Sequence, residues 1–163
     1  MRPSDDRAAS EAILLDRAGA KVRAGAGSHT GEAFMLRGGC HCGAVRYEAD
    51  AAPFHATICH CADCRRIVGA ASVAWFSVPR AALRWTAGAP KPVRSSARAT
   101  RTFCGTCGTS LTYESDAAPD EIDVTTASLD EPERVPPRDH TFLAERLAWD
   151  VVADGLPTFA RTR

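Results

Sequence analysis

The sequence predicts a mainly β fold, in which short antiparallel strands surround two clusters of cysteines. The first observation is an alternation of apolar and charged residues with a period of two, at Val45, Tyr47 and Ala49. The second is an almost wholly apolar run at residues 73–78, which is typical of a buried strand. The third is the spacing of the seven cysteines, which form two close pairs and one close triplet. Together these patterns indicate a sheet scaffold that brings distant cysteines together.

Each predicted element follows from its own residues. Arg46 and Glu48 alternate with the apolar residues of the first strand, which therefore has one buried and one solvated face. One short helix is predicted from about Ala62 to Val68, because Gly69 supplies a stop signal. The tail at residues 142–159 is apolar enough to pack back as edge strands. Further strands are predicted at residues 83–85, 110–113 and 121–125, and turn-forming clusters lie at residues 87–90, 116–119 and 135–137.

Residues 1–34 differ from the rest of the chain and are predicted to be an extension that is weakly helical or disordered. They are rich in Ala, Arg, Gly and Asp and contain few large apolar groups. A helix is predicted over residues 4–18, with Ser4 or Asp5 as its cap. Residues 19–31 offer too little apolar surface to bury, which favours disorder or loose packing. The domain itself is therefore predicted to span residues 35–163.

The charge balance indicates which partners the protein lacks. The chain has 163 residues, with 20 basic and 20 acidic side chains, so no net charge steers it toward nucleic acid or an anionic membrane. No apolar run approaches the ~20 residues of a membrane helix. The apolar segment at residues 12–15 is too short for a signal peptide. These features predict a cytoplasmic protein, whose reducing surroundings favour metal binding over disulfides.

Four of the cysteines have the spacing of a closed zinc site. Cys104 and Cys107 are separated by two residues in a glycine-rich turn that aims both sulfurs at one point. Cys40 and Cys42 are separated by one residue, so both face the same side of an extended chain. We predict that this four-cysteine group shares one structural zinc, which takes four soft ligands in a tetrahedron. Two disulfides, or redox chemistry at Cys104 and Cys107, are the alternatives.

The remaining three cysteines predict an open site. Cys59, Cys61 and Cys64 lie within six residues, where the last two bridge the first turn of the predicted helix. Three thiolates leave a zinc ion with one further coordination position, and such a position distinguishes catalytic zinc from structural zinc. The alternative is a second structural zinc that a protein side chain completes. The candidates for that fourth ligand are His41, His55, His60 and Asp63.

Residues beside this cysteine triplet are candidates for catalytic roles. Arg65 and Arg66 follow Cys64 directly and are expected to offset the negative charge or to bind a substrate carboxylate in bidentate fashion. His60, or less directly His41, is a candidate for moving a proton. The positive end of the helix dipole, at the N-terminus of the predicted helix, is expected to lower the pKa values of the thiols.

With these residues in view, the chain resembles the family of glutathione-dependent formaldehyde-activating enzymes, which also includes centromere protein V. The resemblance spans residues 35–163 and all seven cysteines. The matching segments are GGCHCGAVRY at 38–47, CHCADCRR at 59–66, RTFCGTCGTSL at 101–111, ASLD at 127–130 and the ending from Trp149 to Phe159.

The resemblance implies a β-tent fold built around two zinc ions. It implies that the four-cysteine group holds a structural zinc and the cysteine triplet a second, catalytic zinc. It also implies a carbon–sulfur lyase that condenses glutathione with formaldehyde to S-(hydroxymethyl)glutathione. The implied partners are a small-molecule thiol such as glutathione and a small aldehyde, and a homodimer is left open.

Three hypotheses about function remain at this point. The first is an enzyme that forms or cleaves the S-hydroxymethyl adduct. The second is a binding module that carries a thiol such as glutathione without turnover. The third is a structural zinc scaffold for protein or nucleic-acid interaction, which the balanced charge of the chain does not favour.

Overall fold

The computed structural model describes residues 14–15, 21–22 and 34–163, and this part of the chain is mainly β, as predicted. One α-helix, α1, covers Ala62–Val68, as the sequence predicts. Single turns of 3-10 helix lie at Arg80–Ala82, Thr126–Ser128, Pro132–Arg134 and Leu143–Glu145. The strands are β1 (Leu14–Leu15), β2 (Lys21–Val22), β3 (Met35–Gly39), β4 (Arg46–Asp50), β5 (Phe54–Cys59), β6 (Val73–Pro79), β7 (Leu83–Ala87), β8 (Lys91–Ser96), β9 (Ala99–Phe103), β10 (Ser110–Ser115), β11 (Glu121–Thr125) and β12 (His140–Thr141).

The strands from β3 onward form two sheets. The smaller sheet has the order β3-β4-β7, and the larger has the order β12-β5-β6-β11-β10-β9-β8. Every pairing in the two sheets is antiparallel except that between β12 and β5. The parallel pair is possible because a long connection separates the two strands along the chain. It departs from the purely antiparallel arrangement that the sequence predicts, as does the parallel bridge between His140 and Thr158.

The hydrophobic core contains the inward-facing residues of both sheets. In the smaller sheet the period-two pattern buries Tyr47 and Ala49 of β4, as the sequence predicts. In the larger sheet the same period buries Phe76 and Val78 of β6. These side chains belong to one cluster, which also contains Leu111 of β10. The cluster is therefore continuous between the two sheets.

The opposite face of the larger sheet is polar and aromatic. Ser77, Asp123, Tyr113 and Arg101 lie directly opposite one another on neighbouring strands β6, β11, β10 and β9. Residues paired in this way project to the same face of a sheet, while their sequence neighbours project to the other. One face of this sheet thus packs the core, and the other presents a row of functional groups.

Two predictions about the ends of the chain need correction. Leu14–Leu15 is a strand that pairs antiparallel with Lys21–Val22, so the predicted helix is wrong at residues 14 and 15, and residues 21 and 22 are paired rather than disordered, which leaves the alternative of loose packing. The rest of the predicted helix and of the predicted disordered stretch lies outside the described residues. The limits of the two predicted segments, 1–34 and 35–163, remain a prediction.

The tail does not form the edge strands that its composition predicts. Beyond Thr141 its sheet pairing is a single bridge between Thr158 and His140, and the Trp149 residue is 72% exposed. Gly155, Pro157 and several charged residues interrupt the apolar groups of this segment, which explains the irregular backbone. Within the described residues, no helix is both long enough and apolar enough to cross a bilayer.

Candidate metal centres and the adjoining cavity

The four-cysteine group converges as its spacing predicts. All four sulfur atoms lie within 4.8 Å of one another, although the two pairs are far apart along the chain. The sulfurs of Cys40 and Cys42 are 3.5 Å apart, and those of Cys42 and Cys104 are 3.8 Å apart. Ligands at the zinc–sulfur bond length define a tetrahedron with edges of about 3.8 Å. The sulfur positions therefore fit a tetrahedral metal ion, and the cysteines are free thiols rather than disulfides.

Tight turns hold these sulfurs in place. The N–H of Val45 donates to the Cys40 sulfur at 3.2 Å, and the N–H of Thr106 donates to the Cys104 sulfur at 3.4 Å. Gly43 has a φ of 77° at the first turn, and Gly108 has a φ of 78° at the second. Such angles favour glycine, so the sequence context of both pairs is needed for the backbone to turn around the sulfurs.

The thiols of this group do not ionise independently. The Thr109 hydroxyl and N–H, which donate to the Cys107 sulfur, lower its pKa to about 5. The N–H of Ala44 favours the Cys42 thiolate, but the neighbouring Cys40 thiol opposes it and the pKa of Cys42 rises to about 12. Four thiolates at this spacing repel one another unless a cation lies among them. The donor set is therefore that of a thiolate metal site.

The cysteine triplet lies at the junction of β5 and α1. Cys59 is the last residue of β5, and Cys61 is the N-cap of α1 with an extended backbone. The Cys61 sulfur accepts a hydrogen bond from the N–H of Cys64 at 3.3 Å, as an N-cap oxygen does in other helices. The three sulfurs lie within 4.8 Å of one another, with Cys59 and Cys64 buried and Cys61 half-buried.

None of the four proposed fourth ligands joins this triplet. Among residues 34–163 the group has three members, and all of them are cysteines. The His60 ring is turned away, since its Nε2 lies 2.9 Å from Nδ1 of His140. The backbone N–H of His41 donates to Thr109, beside the four-cysteine group instead.

Ionisation within the triplet is also shared. The neighbouring thiols of Cys59 and Cys64, which donate to the Cys61 sulfur, lower its pKa to about 2. The same interactions raise the pKa of Cys59 far above its usual range. Without a cation, one thiolate therefore forms at the expense of its neighbours. A divalent ion removes this competition between the thiols, because it stabilises all three thiolates.

The triplet opens onto a cavity of about 470 Å³. The polar face of the larger sheet forms its floor, so the row of paired residues on β6, β11, β10 and β9 lies inside it. All three cysteines of the triplet line the cavity. The other lining groups include the aromatic side chains Trp75, Tyr113 and Phe142 and the polar side chains Ser77, Asp123 and Arg101.

Two charged residues of this cavity were missed as site candidates. Arg101 is 5% exposed and donates from Nη2 to the Cys64 sulfur at 3.5 Å. Asp123 accepts a hydrogen bond from the Ser77 hydroxyl at 2.6 Å, and burial raises the pKa of its carboxyl. No spacing pattern marks them. Asp123 lies between the core residues Ile122 and Val124, so in the sequence it has the ordinary place of a polar residue in an alternating strand.

The predicted arginines lie elsewhere. Arg65 and Arg66 belong to the last turn of α1, and neither lines the cavity. The Nε of Arg65 donates to the backbone carbonyl of His60 at 3.2 Å, while Arg66 is exposed. A short helix places these residues at its carboxyl end, away from the N-cap where the sulfurs lie.

A buried histidine pair stands behind the triplet. His140 Nε2 lies 2.8 Å from the Asp154 carboxylate, and His140 Nδ1 contacts His60. Burial, and secondarily the charge of His140, lower the pKa of His60, which favours its neutral form. These bonds connect the irregular tail to the loop that carries the cysteines.

The fold and the site define a class of protein: a small β domain with two candidate thiolate metal centres, one of which borders a ligand-sized cavity. The chain belongs to the family of glutathione-dependent formaldehyde-activating enzymes, whose family model matches residues 35–145. This finding confirms the resemblance drawn from the cysteine motifs. A comparison with curated protein sequences gives no significant match.

A solved structure supports the same fold. The chain is similar to a Rhodobacter sphaeroides protein whose crystal structure was a structural genomics target. The two share 30% sequence identity with a TM-score of 0.51, and the match covers 58% of this chain and 87% of that one.

Proposed function

We propose that this protein is a zinc-dependent enzyme of the carbon–sulfur lyase type. Its substrates are a glutathione-like thiol and a small aldehyde such as formaldehyde, which it joins into an S-hydroxymethyl adduct or releases from one. The single observation that carries the proposal is the cysteine triplet in the wall of a cavity. Family membership supports the choice of thiol and aldehyde.

The two cysteine groups divide the metal binding. The four-cysteine group holds a structural zinc, because its four sulfurs suit a complete tetrahedron. The triplet holds a catalytic zinc through Cys59, Cys61 and Cys64. Thiolate sulfur is a soft ligand that favours zinc over magnesium or calcium. When bound there, zinc supplies the positive charge that keeps a sulfur ligand ionised near neutral pH.

The cavity walls of the chain bind and orient the substrate. A volume of about 470 Å³ lies within the range of small-ligand sites. The rings of Trp75, Tyr113 and Phe142 offer apolar surface to the methylene groups of a thiol and limit the water around it. Orientation of this kind brings the sulfur and the carbonyl carbon together, which accounts for much of the rate gain in an addition reaction.

Asp123 is suited to the proton transfer. In the condensation, the thiol gives up its proton, the sulfur lone pair forms the carbon–sulfur bond, the carbonyl π electrons move to oxygen, and that oxygen takes up a proton, so that proton loss at sulfur balances proton gain at oxygen. The Asp123 carboxyl lines the cavity, and burial raises its pKa toward neutral pH. A carboxyl group whose pKa lies nearer the working pH donates and accepts protons more readily. In the reverse reaction the same carboxylate accepts the hydroxyl proton. We assign the role to Asp123 rather than His60, because the His60 ring contacts His140 behind the triplet.

The test compares the rates of adduct formation from glutathione and formaldehyde, with the uncatalysed rate subtracted. Cys61→Ser is expected to abolish the enzymatic rate while it preserves the N-cap of α1. Arg84→Met is the matched control, since Arg84 pairs with Glu48 on the smaller sheet. Equal rates for wild type and Cys61→Ser end the proposal for this substrate pair. Saturable binding of glutathione without a rate increase identifies a thiol carrier instead.

The cellular setting follows from the same chemistry. We infer a cytoplasmic location, because free thiols and glutathione are both maintained in a reducing compartment. The balanced charge of the chain supports small-molecule partners rather than nucleic acid or membranes.

A further inference from the structure

Arg101 is a buried cation whose surroundings on β9 are unusual. It is 5% exposed, and its guanidinium carbon lies 4.6 Å from the centre of the Tyr113 ring and 5.6 Å from that of Trp75. Among residues 34–163 its one hydrogen-bond acceptor is the Cys64 sulfur, at 3.5 Å from Nη2. Its Nε and Nη1 are buried and have no hydrogen-bond partner in this part of the chain. Arg101 thus lacks the hydrogen-bonded carboxylate that usually accompanies a buried arginine.

The charge of Arg101 must be compensated, because burial of an unpaired cation is costly. Two aromatic faces supply part of that compensation through their quadrupoles. The Asp123 carboxyl, which interacts electrostatically with Arg101, supplies another part, and the triplet contributes through the Cys64 sulfur, which accepts the hydrogen bond. Three thiolates and one divalent cation leave one net negative charge, and the guanidinium offsets it. The triplet and Arg101 together are then electrically neutral.

The same burial shows where the charge acts. Nη2 is the guanidinium nitrogen that donates a hydrogen bond to the sulfur, whereas Nε and Nη1 are buried and have no partner among the described residues. The register of the sheet fixes this direction, because Arg101 lies opposite Tyr113 and is held over its ring. Arg101 therefore acts on the metal site rather than on the distant part of a substrate.

We propose that Arg101 is a positioning residue that stabilises the metal-bound form of the cysteine triplet through its hydrogen bond and charge. This inference rests on the proposed metal-binding role of the triplet. Groups that donate to metal ligands in this way typically change metal affinity by about 10- to 100-fold when they are removed. The four-cysteine group has no contact with Arg101 among the hydrogen bonds of the described residues, so its affinity is expected to remain unchanged.

The experiment measures metal affinity directly in the full chain. Zn²⁺ is titrated against a competing chelator for wild type, Arg101→Gln, Arg101→Lys and the control Arg84→Met, and the four-cysteine group is the internal reference. Arg101→Gln is expected to weaken the second equivalent of zinc by about 10- to 100-fold and leave the first unchanged. Arg101→Lys is expected to recover part of that loss, because it keeps the charge without the planar hydrogen-bond geometry.

Two results overturn the inference. The first is wild-type affinity for both equivalents in Arg101→Gln and Arg101→Lys. The second is an equal loss of zinc affinity in both variants that is accompanied by an equal loss of zinc affinity at the four-cysteine group. That result indicates general unfolding rather than an effect on the triplet. Circular dichroism on each variant separates these results. A protein that binds two zinc ions with the expected Arg101 dependence but shows no glutathione–formaldehyde turnover contradicts the proposed enzyme activity and leaves the Arg101 inference intact.

Discussion

Substitution of one cysteine in each group is expected to have opposite consequences for folding. Cys104 is 1% exposed and belongs to the four-cysteine group, which joins segments 62 residues apart through the Cys42 and Cys104 sulfurs. A structural zinc contributes about 10–16 kcal/mol of apparent binding free energy. The free energy of unfolding of a domain is about 5–15 kcal/mol. Cys104→Ser therefore removes an amount comparable to the whole stability, and we expect the variant to be largely unfolded.

Cys61→Ser is the counterpart in the triplet. All three members of the triplet lie on the β5–α1 segment, so its metal closes a short loop and adds little long-range constraint. Serine is itself a favoured N-cap, which keeps the change in helix stability within about 1 kcal/mol. We expect this variant to lose one equivalent of zinc and remain folded.

The assay combines metal content with urea unfolding followed by far-UV circular dichroism. The expected wild-type content is two zinc ions per chain, and the expected content of folded Cys61→Ser is one. A wild-type unfolding midpoint for Cys104→Ser refutes the structural role of the four-cysteine group. Loss of folding in Cys61→Ser refutes the separation between a structural and a functional site.

Three further outcomes follow from single contacts. Glu145→Ala removes the acceptor of the Ala62 N–H, 2.8 Å away at the start of α1, and is expected to lower the free energy of unfolding by about 1 kcal/mol, whereas Glu145→Gln keeps most of it. Tyr47→Phe removes the 2.7 Å hydrogen bond to Ser128 inside the core and is expected to cost about 1 kcal/mol in urea unfolding, and no change contradicts that bond. The raised pKa of Asp123 means that the folded protein holds this proton more tightly than the unfolded chain, so its stabilising effect is lost as the pH rises from 3.8 through the folded-state pKa. Asp123→Asn is therefore expected to gain stability relative to wild type as the pH rises above 3.8, and a difference in unfolding midpoint that does not change with pH contradicts the shift.

Local signals made the two cysteine groups and five strands predictable, namely β4, β6, β7, β10 and β11, whereas β3, β5, β8 and β9 were not predicted. The cysteine spacing predicts both groups because each pair or triplet is close in sequence, and the bounds of α1 follow from its glycine stop. Strand β8 was missed because Lys91–Ser96 is exposed at every position and therefore shows no apolar alternation. The position of Arg101 over the triplet depends on the register between β9 and β10, which no local pattern contains. The arginines after Cys64 were predicted from proximity along the chain, whereas the charge beside the sulfur comes from a residue 37 positions away.

The division of the larger sheet into two faces separates what holds the domain together from what selects its ligand. Trp75, Tyr113 and Asp123 of β6, β10 and β11 meet the cavity, while Phe76, Thr112 and Val124 beside them are packed inside. Evolution, or an engineer, can replace the cavity-facing set to accept another ligand and leave the packing intact. Relatives that share this scaffold are thus free to diverge in chemistry faster than in architecture.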